Sequence, residues 1–296
     1  MTVKIITDTS ADLNLPGDVA LYEDYDIATV PMHILFGNND YEENINLTPS
    51  KFYKLIQTSD VHPRTSQPTQ FDILRAYEKY GKECDEIVSF HISSKLSGSY
   101  KNALFAKRMY EKATPNPAKV YIVDCYVTSI CQGLMVIKAA QLAKEGWNAE
   151  EIIKEVTRWR DEDMAIYFTV EDLRWLFEGG RLSRAKYYIA KFMSLKPILT
   201  FIDGGLGVVK RVSNMNAIFN AMARMALEKF ENEDESTLMI NLGEAMYREQ
   251  AEHVMNNFLE EHPDVQRGKI FVLGGTIAAH TGPGTLVFVI TRNFNY

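Results

Sequence analysis

The chain has 296 residues, 46% of them hydrophobic and 24% charged, with 32 basic against 39 acidic side chains and a formal net charge of -7. At about 150 residues per domain, this length predicts two domains, each with enough chain to bury a core, and it excludes collagen-like, disordered and disulfide-stapled classes. The acidic balance argues against a nucleic-acid backbone or an anionic membrane surface as partner, because both need a cationic face.

The three cysteines, Cys84, Cys125 and Cys131, are odd in number and show no CxxC spacing, which fits a reducing compartment. The first residues meet charge at Lys4 and Asp8, so they lack the apolar core of a signal peptide. The longest uncharged apolar-rich run, Cys125 to Ile137, is shorter than the ~20 residues of a membrane span. The expectation is a cytoplasmic protein without stable membrane insertion.

In chain order, β-branched runs predict strands over Val3 to Thr7, Glu86 to His91 and Lys119 to Val123, each leading toward a helix as in a parallel sheet. Phe71 to Tyr80 is helical in pattern. Thr128 to Glu145 carries Ile130, Leu134, Ile137 and Leu142 near helical spacing and stops at Gly146. Asn148, with Glu151 three residues on, caps a further helix whose apolar stripe is Ile152, Ile153, Val156 and Trp159. Beyond the charged stretch Arg158 to Asp163, strands are predicted over Ala165 to Thr169, Ile198 to Ile202, Gly207 to Val212, Leu238 to Asn241, Lys269 to Leu273 and Thr285 to Ile290. Asp203-Gly204-Gly205 reads as a hairpin turn. Helical patterns over Asn214 to Phe230 and Ala245 to His262 are interleaved, and Glu231 to Glu235 reads as a solvated acidic loop. The fold class is therefore α/β: a parallel-sheet α/β domain over residues 1–160, then an α+β domain with a largely antiparallel sheet over residues 161–296.

Ligands of parallel α/β sheets bind outside the carboxyl ends of the strands. There the chain places Asp8-Thr9-Ser10, then Ser93-Ser94-Lys95-Leu96-Ser97-Gly98-Ser99, then Asp124. A helix starting near Ser97 would offer backbone N–H groups beside hydroxyls, a combination suited to an anionic oxygen. Simple helix capping by Ser97 and Asp8 is the alternative. A second hydroxyl cluster, Arg64-Thr65-Ser66-Gln67-Pro68-Thr69, lies before the helical segment Phe71 to Tyr80, with a loop and N-cap as the plain alternative to a functional role. Gly274-Gly275-Thr276 and His280-Thr281-Gly282-Pro283-Gly284 mark close backbone approaches and one histidine, structural or functional. Arg181, in Glu178-Gly179-Gly180-Arg181-Leu182-Ser183, is a surface cation or a clamp on a carboxylate or phosphate.

The chain has no Walker phosphate loop, dinucleotide fingerprint, HExxH or GxSxG elbow, and its six histidines lack metal-ligand spacing, so neither metal nor cofactor is expected. The adjacent acids Glu42 and Glu43, and the run Asp161, Glu162 and Asp163, fit solvated faces better than acid/base pairs.

Ile6-Thr7-Asp8-Thr9-Ser10-Ala11-Asp12-Leu13, Thr65-Ser66-Gln67-Pro68, Ile92 to Tyr100, Gly179 to Ser183, Lys196-Pro197-Ile198-Leu199 and His280 to Gly284 together resemble the DegV family, in its order and spacing over almost the whole chain. The resemblance implies a lipid-binding protein, not an enzyme. It would hold one long-chain fatty acid in an interdomain tunnel and serve as the acyl-carrying subunit of a fatty acid kinase, whose catalytic subunit would be its partner. It also implies that Thr65 and Ser97 hold the carboxylate, with Ser66, Ser94 and Gly98 adjacent and Arg181 and His280 as head-group neighbours. Tunnel lining would come from apolar residues such as Ile92, Phe168, Leu176 and Phe192. One departure stands at Lys210 to Ala217, where family members often carry a basic R-x-K-K-A segment. The rival reading is a serine hydrolase or acyltransferase with Ser97 as nucleophile, His280 as base and Asp8 or Asp124 as orienter.

Overall fold

In chain order, the N-terminal strands are β1 (Val3–Asp8), β2 (Asn14–Leu15), β3 (Val19–Ala20), β4 (Ala28–Val30), β5 (His33–Phe36), β6 (Asn39–Glu42), β7 (Arg64–Ser66), β8 (Glu86–His91) and β9 (Lys119–Asp124). The helices among and after them are α1 (Pro49–Thr58), α2 (Gln70–Tyr80), α3 (Ser99–Ala113), α4 (Ile130–Lys144) and α5 (Ala149–Glu162). These come from a computed structural model that describes residues 2–182, 196–212 and 214–296. The chain divides into two compact units, Met1–Asp161 with Gly274–Thr276, and Glu162–Leu273 with Ile277–Tyr296.

The first unit is built on a parallel sheet of order β4-β1-β8-β9. Every residue of β8 is buried, as a strand covered on both faces must be. On one face, Ile73 and Tyr77 of α2 and Ala103, Ala106 and Tyr110 of α3 pack with Ile6, Ile87 and Val120 of the sheet. Helix α4 packs on β1 and β8 and is buried nearly all round, which explains its apolar composition. Helix α5 opens on the expected capping box, with Glu151 N–H donating to Asn148 Oδ1 at 3.0 Å and Asn148 N–H to Glu151 Oε2 at 3.1 Å. It buries Ile152, Val156 and Trp159, while Ile153 is only half-buried. Beside this sheet lies an antiparallel one of order β6-β5-β7, in which Thr65 pairs with Ile34. The hydroxyl cluster at 64–69 is thus half strand: Arg64–Ser66 is β7, and Thr69 caps α2 in a reciprocal box with Asp72.

The second unit contributes β10 (Met164–Thr169), β11 (Lys196–Ile202), β12 (Gly205–Val212), β13 (Leu238–Ala245), β14 (Gln266–Val272) and β15 (Thr285–Arg292). Its helices are α6 (Arg174–Glu178), α7 (Met215–Glu228), α8 (Arg248–Glu261) and α9 (Gly275–Thr281), the first two residues of α9 belonging to the first unit. The strands run β12-β11-β10-β15-β13-β14, antiparallel except for β13 with β14. Ile202 pairs with Gly205 across Asp203-Gly204, both at positive φ (49° and 78°), the primed turn that matches strand twist. The helix expected from Ala245 begins instead at Arg248. Residues 242–245 continue β13, with Leu242 opposite Phe288 and Ala245 opposite Thr285. Their burial within the sheet overrides the helical spacing of the segment. The core joins Ile218 and Met222 of α7 and Met255 and Phe258 of α8 to Ile240, Phe288 and Ile290 of the sheet.

Candidate functional site

The carboxyl ends of β1, β8 and β9 carry a buried polar network centred on Asp8. Its Oδ2 accepts from Ser99 Oγ at 2.7 Å and from Ile92 N–H at 3.1 Å, and its Oδ1 accepts from Gln132 Nε2 at 3.0 Å and from Ser10 Oγ. His91 Nδ1 lies 2.9 Å from Ser99 Oγ, and His91 Nε2 lies 2.8 Å from Ser89 Oγ. Asp8, Ser89, His91, Ser99 and Gln132 are all 0% exposed. Burial pushes the Asp8 carboxyl up, but hydrogen bonding and charge from His91, with the Ser10 and Ser99 hydroxyls, outweigh it and hold Asp8 below its ordinary value. Asp8 therefore does not cap a helix, as the alternative had it; it ties β1 to β8, α3 and α4.

Above this network the Ser93 to Ser99 loop is a tight turn. Ser93 O accepts from the N–H groups of Leu96 at 2.9 Å and Ser97 at 3.1 Å, and Asp124 Oδ1 accepts from Ser94 N–H at 3.1 Å. Helix α3 begins at Ser99, two residues past Ser97, and Ser97 Oγ accepts from Ser99 N–H at 3.3 Å. Ser97 is thus positioned at the N-terminus of a 15-residue helix, where the dipole and first-turn N–H groups favour an anion. The Thr65-Ser66-Gln67-Pro68 segment meets this loop: a Cβ on Gly98 would stand 3.1 Å from Gln67 Nε2, and Asn102 Nδ2 donates to Pro68 O at 2.8 Å. The contacts between the two segments are thus made by Gln67 and Pro68, with Thr65 and Ser66 on the preceding strand β7. Thr65, Ser97 and Gly98 are half-buried, and Ser66 and Ser94 are exposed.

In the second unit, the Gly179-Gly180-Arg181 turn after α6 meets the end of α9. The Gly179 backbone lies so close to the His280 ring that a Cβ there would collide with Nδ1, and Gly282 is equally close to Trp175. Arg181 Nη1 donates to Gly179 O at 2.6 Å, and Arg181 N–H to Leu176 O at 3.0 Å. Burial lowers the Arg181 pKa. Arg181 and His280 are therefore neighbours through Gly179. Ile92, Phe168 and Leu176 are buried. Phe192 and Ser183 lie outside the described residues.

The acidic residues were misjudged from sequence adjacency. Glu43 is buried, unlike Glu42: it accepts from Thr276 N–H at 2.8 Å and from the Thr276 and Thr9 hydroxyls at 2.7 Å each. Asp12 is buried beside it, accepting from Gly274 N–H at 2.8 Å and Ser129 Oγ at 2.6 Å. Burial pushes the Glu43 carboxyl up to about 7, and burial together with the Glu43 charge pushes Asp12 well above the carboxylate range. Asp163 is likewise buried, in an ion pair with Arg292 at 2.5 Å. Sequence distance hides these partners: Thr9 is 34 positions from Glu43, and Thr276, Gly274, Ser129 and Arg292 are each more than a hundred positions from the acid they meet. The signal that could have found the first pair is Gly274-Gly275-Thr276, whose small residues allow the chain to approach two carboxylates.

The proposed hydrolase orienters are engaged elsewhere, Asp8 as described and Asp124 by the N–H groups of Ser94 and Tyr126. Among the described residues, no group of three or more His, Cys, Asp or Glu is placed to hold a metal ion, and no helix is long and apolar enough to cross a membrane.

A family model described as an uncharacterised protein of the DegV family matches residues 2–293. Protein DegV of Bacillus subtilis is 29% identical over 289 residues, covering 97% of this chain and 98% of the relative. Among solved structures, DegV from Bacillus subtilis, named as a fatty acid binding protein, superposes with a TM-score of 0.86 at 27% identity, covering 99% of both chains. A DegV family protein from Thermus thermophilus, described for its fatty acid binding, gives a TM-score of 0.83 at 27% identity over 99% of this chain and 100% of that one.

Proposed function

Because the chain belongs to the DegV family, we propose that it binds a long-chain fatty acid and presents the carboxylate to the catalytic subunit of a fatty acid kinase, without being an enzyme by itself. The observation that carries this reading is the junction of two hydroxyl-bearing segments at Gln67 and Gly98, at the N-terminus of α3. Thr65 and Ser97, joined by Ser66, Ser94 and Gly98, would supply neutral donors for an oxyanion, and the family resemblance implies Arg181 and His280 as head-group neighbours. The fatty acid binding named for the Bacillus subtilis and Thermus thermophilus proteins supports the ligand class.

The energetics divide the labour. Each buried CH2 contributes about 0.8 kcal/mol, so a chain of about sixteen carbons supplies on the order of 10 kcal/mol. Two neutral hydrogen bonds add about 1 kcal/mol each. The apolar tunnel that the family resemblance implies would therefore set affinity, while Thr65 and Ser97 set where the carboxylate points. Phosphoryl transfer to that carboxylate would draw on ATP held by the kinase subunit.

Native mass spectrometry of the purified protein, followed by denaturing extraction, tests the reading. A co-purified fatty acid released on denaturation is the expected result. A protein that carries no acyl chain and takes none from added palmitate overturns it. Loss of fluorophosphonate labelling in Ser97→Ala would favour the hydrolase instead.

A further inference from the structure

Helices α7 and α8 of the second unit enclose a groove of about 660 Å3 that the fatty acid reading does not use. From α7, an apolar row of Phe219, Ala223 and Leu227 lines it beside a polar row of Asn220, Arg224 and Glu228. From α8 come Val254 and Phe258 beside His253, Asn257 and Glu261. Each row repeats every four residues, so the groove follows both helices with an apolar floor and polar rims. Phe219, Val254 and Phe258 are buried, whereas Ala223 and Leu227 remain half-open to solvent and the polar row is exposed.

The rim is strongly biased in charge. Among the described residues that line the groove, Glu228 and Glu261 at the helix ends are joined by Glu231 and Glu235 of the following loop, against one arginine, Arg224. Glu235 holds His262 at 2.9 Å, and Arg224 reaches Glu228 only at 3.5 Å across an exposed turn.

We propose that this groove docks a basic amphipathic helix of a partner protein. Rows running from i to i+8 span about 12 Å, which sets the occupant at roughly two to three turns. A helix laid in such a groove places its apolar stripe against Ala223, Leu227 and Phe258, and lysines or arginines flanking that stripe meet the glutamates of the rim. The charge excess makes an acidic or neutral helix a poor occupant, and the apolar floor gives a bare polyamine little to bury.

The test uses the full chain and a fluorescein-labelled Leu/Lys peptide of amphipathic helical pattern, read by anisotropy. Binding is expected to fall by about tenfold or more in Glu228→Lys/Glu261→Lys and at raised salt. Ala223→Trp, which fills the floor, should abolish it. Asn257→Lys, a change at an exposed position of the polar row, gives an independent charge test if Ala223→Trp fails to fold. Fatty acid content measured by native mass spectrometry should be the same in the Lys variants as in the parent chain, which separates this proposal from the ligand reading. The proposal is overturned if a Leu/Lys peptide of scrambled pattern binds equally well, showing charge attraction alone. It also falls if a Leu/Glu peptide binds as tightly, if spermidine displaces the probe completely, if the groove instead mediates self-association by sedimentation, or if no peptide binds.

Discussion

Asp8 and Ser99, 91 positions apart, are joined by a 2.7 Å hydrogen bond in which the hydroxyl donates to a fully buried carboxylate. Through it the end of β1 holds the first residue of α3, and Ser97 is held in turn by its bond to Ser99 N–H. Asp8→Ala would leave Ser99, Gln132 and the Ile92 N–H without their acceptor inside the core. A loss of roughly 3–5 kcal/mol in urea unfolding is expected, because breaking a buried charged network strands its partners. Asp8→Asn, which keeps one acceptor, should cost less than half of that; equal losses would show that packing, not hydrogen bonding, is at stake.

Glu43 makes stability fall as the pH rises. Its native pKa of about 7 lies above the ordinary 4.5, so between these values the native state holds a proton that the unfolded chain releases. The contribution is fully present near pH 4.5 and is lost as the pH passes 7, by up to about 3 kcal/mol. Asp12 is shifted in the same direction and adds to the slope. Asp8, held below 3.8, contributes stability that is constant across this window and is lost only in stronger acid. Urea midpoints measured from about pH 5 to 8 should therefore decline, and Glu43→Gln should flatten that decline.

Gly179→Ala drives a methyl group into the His280 ring. Overpacking of this kind costs typically 1–3 kcal/mol, and the turn that carries Arg181 must shift with it. Stability should drop modestly while retention of bound fatty acid drops more, read by native mass spectrometry alongside a thermal melt. Retention that tracks stability alone would remove His280 from the head-group site.

Thr65→Ala with Ser97→Ala should weaken fatty acid affinity by only about thirtyfold, the worth of two neutral hydrogen bonds at about 1 kcal/mol each. Acyl-phosphate formation with a fatty acid kinase subunit should suffer far more, because orientation governs transfer. Equal losses in a binding titration and a transfer assay would contradict that separation.

The regular elements were legible because their signals are local. The β-branched runs of β1, β8 and β9, the Asn148 and Glu151 box and the Asp203-Gly204 turn each carry their own physics within a few residues. Strand β4 and the small sheet of β5, β6 and β7 went unread, since three- and four-residue strands offer little periodicity to detect. The hydroxyl loops of the candidate site were readable for their density of Ser, Thr and Gly. Glu43, Asp12 and His91 were not, because a buried polar group is recognised by its partners, and theirs lie on other elements.

Gly274–Thr276 belong to the first unit although the chain on either side of them belongs to the second. On a ribosome the N-terminal unit therefore emerges incomplete, with Asp12 and Glu43 lacking the Gly274 and Thr276 amides until nearly the whole chain has been made. A fragment cut at residue 161 would keep that defect permanently. Its two carboxylates would have to take up water or protons where the intact protein supplies backbone N–H groups.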